Sequence, residues 1–174
     1  MAPAVPDLSE VDLIIDATVS IAISRLLDSV ATTAGRPVLA QMATDARTGT
    51  LGIMTVSMPN LTAGPLTIDG QAGQEVTSDG TLETFHGLWK TLEHGTEIIP
   101  TRGCSTPTFH GSAADLAGVA ASLTSILGSH FGAVTPVSGT HLISLPHGEA
   151  GPRRTFIPFE EISEGKDDQA GGAA

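Results

Sequence analysis

One thiol and one imidazole lie close together in the stretch RGCSTPTFH, ahead of a long alanine-rich segment. Cys104 is the only cysteine of the chain, and His110 follows it six positions later. A thiolate is the strongest nucleophile among side chains at neutral pH, and a neighbouring histidine can act as its base. The polar residues around Cys104 favour exposure and hence a reactive role. In the alternative interpretation, Cys104 is a small apolar core residue and His110 an ordinary surface or capping residue.

A second candidate position lies near the start of the chain. Asp16 follows the apolar residues 11–15, which are typical of a buried strand, and precedes a segment with helical periodicity. Open α/β sheets place ligand-binding residues at this point, where a strand enters a helix. Asp and Thr are also preferred there as helix caps, so capping by Asp16 or Thr18 is an equal alternative to ligand binding.

Other chemistries lack the residues that they need. Six histidines are scattered without the short spacings of a zinc site, and the acidic residues do not cluster outside the C-terminal tail. No G-x-G-x-x-G motif follows a strand, and G-x-x-x-x-G-K-[ST] is also missing, so the chain has no complete signature for holding nucleotide phosphates. We expect no structural metal.

The candidate residues must be positioned by strands and helices that the sequence pattern predicts. Residues 11–15 form a strand that leads into a helix, and two apolar runs at 38–43 and 51–57 form a hairpin. Residues 60–81 are weakly patterned and predict a loop or short edge strands. A short helix over 82–93 carries Phe85, Leu88, Trp89 and Leu92 on one face for packing.

The second half of the chain contains the clearest helix and a second hairpin. Ser112 and Asp115 are typical of a helix N-terminus, and apolar residues recur after them at three- and four-residue spacing. The segment HLISLPHGEAGPRRTFIPF predicts two alternating strands around a turn. These elements indicate a mixed α/β fold, with a sheet covered by helices and only a small parallel part. We expect one domain over residues 1–159 and a disordered acidic tail over 160–174.

Composition narrows the classes of partner. The chain has 174 residues, eight Lys and Arg, and a formal net charge of −11, so a nucleic-acid or anionic membrane surface is not expected. A single cysteine cannot form an internal disulfide, and the N-terminal residues lack the features of a secretion signal. The apolar segments fall short of a membrane span. These features favour a cytoplasmic protein.

Three segments together resemble a known family. DLIIDATVSIAISRLLD, GRPVLAQMATDARTGTLGIMTV and GCSTPTFHGSAADLAGVAASLTSILGSHF look like the second half of the ThiF/MoeB/HesA adenylyltransferases, which are related to ubiquitin-activating enzymes. The resemblance covers about residues 12–159 and rests on the order of the elements more than on identity. It implies a partial Rossmann-like sheet with covering helices and antiparallel hairpins.

The resemblance also implies roles for particular residues. Cys104 stands where the family has the cysteine that accepts an activated carboxyl terminus or sulfur, as a thioester or persulfide. Arg25 matches an arginine of the helix, and Asp16 matches the first acid of the D-x-T-D-N motif. Val19 and Ser20 replace the following Asp-Asn pair, whose Asp helps to hold magnesium-ATP. A Val side chain has no oxygen with which to bind magnesium.

The family's first half, with its glycine-rich loop, has no counterpart in this sequence. ATP and magnesium are therefore expected only with a partner that completes the site. The first hypothesis is a partial activating-enzyme subunit for a ubiquitin-like or sulfur-carrier protein, with Cys104 as the acceptor. The strand at 11–15 would then lie at an exposed sheet edge, which favours self-association or binding of the missing half.

Two further hypotheses remain open at this point. A non-catalytic binding or scaffold module would keep the fold and recognise a protein partner through its uncovered sheet. An independent cysteine hydrolase would use Cys104 and His110, but the sequence offers no convincing third group to orient the histidine.

Overall fold

A computed structural model describes residues 10–18, 20–45, 48–89, 112–147 and 151–161. These ranges contain five strands, three α-helices and one 3-10 helix. The elements in chain order are β1 (Leu13–Asp16), α1 (Ile21–Ala31), β2 (Val38–Thr44), β3 (Leu51–Ser57), α2 (Pro65–Ser78), the 3-10 helix (Gly80–Leu88), α3 (Ala113–Phe131), β4 (Gly139–Ser144) and β5 (Arg153–Pro158).

The strands form one open sheet in the order β1-β2-β3-β4-β5. β1 runs parallel to β2, whereas every later neighbour is antiparallel. The predicted strand and helix at the start and both predicted hairpins are therefore confirmed. The sheet is mixed, with a single parallel pair among the described strands.

Helices cover both faces of the sheet. Because successive side chains of a strand point to opposite faces, the adjacent residues Leu39 and Ala40 belong to different hydrophobic clusters. Ala40 packs with Val119 and Leu123 of α3, whereas Leu39 packs with Leu27 of α1.

α2 and the 3-10 helix cover the same face of the sheet as α1. They bury Val76 and Phe85 against β4 and β5; the remaining buried members of this cluster are Ala72, Leu82, Leu142 and Ile157.

The prediction of a loop or edge strands over residues 60–81 is wrong for Pro65–Ser78, which form α2. Proline is favoured in the first turn of a helix, where its missing N–H costs no hydrogen bond. Ile68, Ala72 and Val76 recur at four-residue spacing and are buried. Gly70 and Gly73 between them, and Thr67 and Thr77 on either side, weaken this pattern, so tertiary packing determines the helix more than local propensity does.

The helix predicted over residues 82–93 is present, but it starts two residues earlier and ends at Leu88. The structure has a 3-10 helix at Gly80–Leu88, whose first turn is capped by Asp79 accepting a hydrogen bond from the Thr81 N–H at 2.8 Å. Leu82 and Phe85 are buried, as a packing role requires. Residues 90–93 lie outside the described ranges.

The predicted start of α3 is confirmed. Ser112 is the N-cap, and its hydroxyl accepts a hydrogen bond from the Ala114 N–H at 3.1 Å. Asp115 lies in the first turn, where the helix dipole favours an anion, and contacts the His147 ring nitrogen at 2.9 Å. In the part of the chain that the structure describes, none of the helices has the length and apolarity that crossing a membrane requires.

A buried arginine joins three connecting segments at one end of the sheet. Arg36 precedes β2 and is only 3% exposed. Its guanidinium donates to the carbonyl of Ala31 at the end of α1, to Ser57 at the end of β3, and to Met58 and Leu61 in the loop before α2. The planar guanidinium has five N–H donors, which suits it to this set of acceptors.

Candidate functional site

Asp16 ends β1, and its carboxylate is buried and hydrogen-bonded through both oxygens. Oδ1 accepts from the backbone N–H of Thr18 at 2.9 Å and from its hydroxyl at 2.6 Å, and Oδ2 accepts from Gln41 Nε2 at 2.9 Å. Burial alone would raise the pKa of Asp16, but the hydrogen bonds from Thr18 and Gln41 outweigh it and lower the pKa. Asp16 is therefore held as a carboxylate that orders the turn between β1 and α1.

Neither Asp16 nor Thr18 is the N-cap of α1. That position is Ser20, whose side chain makes no capping hydrogen bond. The Thr18 hydroxyl donates to Asp16 and accepts a hydrogen bond from the Ser20 N–H at 3.3 Å. These successive hydrogen bonds fix the backbone between β1 and the first residue of α1. The local role of Asp16 is therefore to form a turn, in which its side chain accepts a hydrogen bond from the backbone N–H two residues later.

Gln41 extends this network towards the centre of the sheet. It pairs with Asp16 across the parallel strands, and its Nε2 donates both to Asp16 and to the Ser24 hydroxyl of α1. Both amide hydrogens are used in this way, so Oε1 is the amide atom that is left to accept a hydrogen bond. Gln41 and Ser24 also line the cavity described next.

A cavity of about 240 Å³ lies between the sheet, α1, α2 and the end of the 3-10 helix. Its polar lining comes from Ser24, Gln41, Thr55, Asp69 and Trp89. Its apolar side chains are those of Ile21, Ala43, Ile53, Leu66 and Leu88, and Met42, whose side chain packs on the α3 face, also borders it. A concave, mostly apolar site with a few polar groups is the usual form of a small-ligand site.

Asp69 and Trp89 are in direct contact at this cavity. Asp69 Oδ2 accepts a hydrogen bond from Trp89 Nε1 at 3.2 Å. Burial raises the pKa of Asp69, and the hydrogen bond from Trp89 offsets only part of that effect. The carboxylate therefore lies in a place where its negative charge is poorly solvated.

The indole of Trp89 lies directly against the backbone of α2 at Gly73. A Cβ atom at position 73 would come within 2.7 Å of the indole Cδ1 and 2.8 Å of Nε1. Any other residue at position 73 would displace the ring. Gly73 therefore sets the close approach that brings Trp89 to Asp69.

A separate titratable pair lies on the opposite face of the sheet, under α3. His141 of β4 is 4% exposed, and its Nε2 lies 3.1 Å from His130 Nδ1. Its ring centroid is 4.4 Å from that of Phe156. Burial, with smaller contributions from the His130 and Arg154 charges, lowers the pKa of His141 to about 4. The other ring nitrogens, His130 Nε2 and His141 Nδ1, are buried without a hydrogen-bond partner among the described residues.

The structure places two of the four candidate residues from the sequence. Asp16 joins the network with Gln41 and Ser24, whereas Arg25 lies exposed on α1 and takes no part in it. Cys104 and His110 lie outside the described residues. Sequence reasoning missed Asp69, because it fell in the segment predicted as a loop, and assigned Trp89 to packing alone.

The described ranges bring together no group of three His, Cys, Asp or Glu side chains suited to hold a metal ion. Comparison of the chain with models of known protein families gave no match. Comparison with curated protein sequences also gave none.

Proposed function

We propose that this chain is a partial, ThiF-like activating-enzyme subunit that docks through the outer edge of β1 onto a separate protein carrying the nucleotide-binding half. The observation that carries the proposal is that β1 is an edge strand, unpaired on its outer side within the described ranges and surrounded by exposed apolar side chains. β1 pairs only with β2 among the described strands, and apolar side chains are exposed on both sides of it. An exposed edge strand presents unpaired N–H and C=O groups to another strand.

The face of β1 on the α3 side is incompletely covered. Ile15 is 49% exposed and Val11 is 38% exposed, although Ile15 lies opposite the fully buried Ala40 of β2. α3 packs mainly over β2, β3 and β4. Of the β1 side chains on this face, Leu13 packs against the α3-side cluster, whereas Ile15 stays half exposed. A further strand with its own helix would bury these side chains.

The other side of the edge is flanked by an apolar stripe on α1. Ile23 and Leu26 are exposed, three positions apart, and continue to the buried Val30. Helical geometry places this stripe roughly opposite Asp28, which accepts hydrogen bonds from the Leu66 N–H and the Thr67 hydroxyl at the start of α2. The stripe therefore points away from α2, towards the outer edge of the sheet.

Charge favours a different protein over a second copy as the occupant of this edge. Two copies related by a two-fold axis would pair their β1 strands antiparallel, and the register centred on Ile14 is disfavoured because it sets Asp12 against Asp16. Like charges directly opposite each other destabilise a strand pair. The chain also carries a formal charge of −11, so a partner with net positive charge is complementary to it as a whole.

The order of elements supports the link to the ThiF resemblance. β1 and α1 are followed by the hairpin of β2 and β3, then, after α2 and the 3-10 helix, by the long capped α3 and the hairpin of β4 and β5. In the proposal, the partner adds the sheet that lies beyond β1 and supplies the glycine-rich phosphate loop. Asp16, at the end of β1, would then lie near the junction between the two proteins.

Docking is tested by binding of this chain to a separately produced glycine-rich-loop half of a ThiF-type enzyme. We expect Ile15→Lys and Leu26→Lys each to weaken binding at least tenfold, because each puts a charge into a contact that apolar surface should fill. Val134→Lys is the matched control, since Val134 is 99% exposed in the loop before β4. Isothermal titration calorimetry gives the dissociation constants.

Equal affinity of Ile15→Lys, Leu26→Lys and the unmodified chain would exclude the β1 edge as the docking surface. Analytical ultracentrifugation of the chain alone tests the other occupant. A stable dimer that Ile15→Lys dissociates would replace the separate protein with a second copy.

Group transfer is tested in the assembled complex, with Mg-ATP and a carrier protein ending in Gly-Gly. In the proposed step, the Cys104 thiolate attacks the carbonyl of the carrier acyl-adenylate, forms a thioester and releases AMP. We expect intact-mass spectrometry to show a thiol-sensitive adduct that Cys104→Ala abolishes. Docking without any Cys104-dependent adduct would instead identify a scaffold module that retains the fold.

A further inference from the structure

The geometry points to a binding site for a protonated primary alkylamine in the cavity between α1, α2 and the sheet. The site is independent of docking at the β1 edge. Its essential group is the Asp69 carboxylate, which lines a cavity of about 240 Å³ together with the Trp89 indole. The cavity is smaller than most sites for drug-sized molecules, and this favours a small ligand.

Asp69 brings a negative charge to the cavity, and none of the described residues supplies a cation to balance it. None of the residues that line the cavity is Lys, Arg or His, and no salt bridge involves Asp69 within the part of the chain that the structure describes. Oδ2 receives the single hydrogen bond from Trp89, and Oδ1 accepts none from the described residues. Asp69 is half-buried. A carboxylate that is partly removed from water is stabilised by a cation that reaches hydrogen-bond distance, so an ammonium group is the complementary ligand.

The groups around Asp69 suit an ammonium ion rather than a metal ion. Gln41 Oε1 remains available as an acceptor, because Gln41 Nε2 already donates to Asp16 and Ser24. An ammonium group has three donors, and Asp69 and Gln41 supply acceptors from two sides of the same cavity. A divalent cation needs several oxygen ligands, and a single carboxylate with one amide oxygen does not supply them.

The rest of the cavity suits a hydrocarbon chain. Apolar side chains from α1, β2, β3, α2 and the 3-10 helix line it: Ile21, Ala43, Ile53, Leu66 and Leu88. Burial of each methylene group in such a lining contributes about 0.8 kcal/mol to transfer from water. The ligand class that satisfies both parts is therefore an aliphatic primary amine, either free or as the end of a longer molecule.

Trp89 provides the measurement, because it is the only tryptophan and the chain has no tyrosine. Titration of the protein with n-hexylamine hydrochloride, followed by tryptophan fluorescence at constant ionic strength, should give a saturable change. n-Hexanol has the same body without the charge, and sodium hexanoate has the opposite charge. We expect the amine to bind at least tenfold more tightly than the alcohol, and hexanoate not to bind.

Asp69→Asn should remove the preference for the amine over the alcohol. Glu75→Gln is the matched control, because Glu75 is an exposed acid on the same helix and the change in charge is the same. Circular dichroism shows whether both variants are folded. If Asp69→Asn fails to fold, chemical-shift mapping of the unmodified protein decides the question: the largest amine-induced shift should fall on the Trp89 indole N–H.

Three results would overturn the proposal. These are equal affinity of the unmodified protein for amine and alcohol, unchanged amine affinity in a folded Asp69→Asn variant, and amine-induced shifts located away from Trp89. Each would mean that Asp69 does not select the ligand. None of them depends on docking at β1, so this site and the proposed function can fail separately.

Discussion

Replacing Arg36 by methionine should lower the free energy of unfolding by about 3–5 kcal/mol, one of the two largest effects that we expect in this chain. The substitution keeps much of the side-chain volume and removes all of the donors. It leaves acceptors at the end of α1, at the end of β3 and in the loop before α2 without their partner. Urea unfolding followed by circular dichroism measures the loss.

Two variants control for charge and volume. Arg25→Met removes an exposed arginine from α1 and should change stability by less than about 0.5 kcal/mol. Arg36→Lys keeps the charge but has three donors on one nitrogen, so it should recover only a minor part of the loss. A value for Arg36→Met within about 0.5 kcal/mol of that for Arg25→Met would contradict the stabilising role of the guanidinium.

The second large effect is a loss of stability on acidification, caused by His141. Its pKa is 6.5 in the unfolded chain and about 4 in the folded protein. The unfolded chain therefore binds more protons between these values, and stability falls as the pH is lowered from about 6.5 to about 4. At about 1.4 kcal/mol for each pKa unit, the full difference is roughly 3 kcal/mol.

The main physical cause is the burial of the His141 ring, which disfavours its charged form; the neighbouring charges add to this effect. A proton on His141 would place a charge beside His130, whose own pKa is lowered by burial, and near the Arg154 cation. Below pH 4 the contribution of His141 is already lost, and above pH 6.5 it is fully present. Unfolding free energies measured at intervals between pH 4 and pH 7 trace this dependence.

Comparison of variants separates His141 from the other titrating groups. Between pH 6.5 and pH 4, the free energy of unfolding of His141→Leu should fall by roughly 3 kcal/mol less than that of the unmodified protein, since leucine does not titrate. His147→Gln changes a histidine whose side chain is 74% exposed and should leave the decline in place. A parallel decline in His141→Leu and the unmodified protein would exclude this origin.

Local patterns predicted much of the fold. The strand before α1, the two hairpins and the Ser112 cap follow from alternation, periodicity and capping chemistry, which act over a few residues. α2 could not be predicted in this way, because its glycines and threonines weaken the periodicity that Ile68, Ala72 and Val76 carry. Burial of Arg36 was also unpredictable, since it depends on acceptors up to 25 positions away in the sequence.

The sequence predicted a residue of the candidate site only where its place in a local pattern, such as the end of a strand, marks it. Asp16 lies at the end of a strand, and this marked it as a candidate. Gln41 meets Asp16 only through the parallel pairing of β1 with β2, which a sequence pattern does not show. Asp69 and Trp89 come together because Gly73 permits the contact, and that requirement depends on packing between two helices.

The antiparallel pairing of β3 with β4 has a consequence for how the protein folds. It aligns Met54 with His141, which are 87 positions apart, in the middle of the sheet. Closing so long a loop costs conformational entropy before the pairing can stabilise the chain. Each hairpin alone would leave one of these central strands without its neighbour, so the two hairpins depend on each other. The sheet should therefore form slowly, in one cooperative transition in which neither hairpin persists without the other.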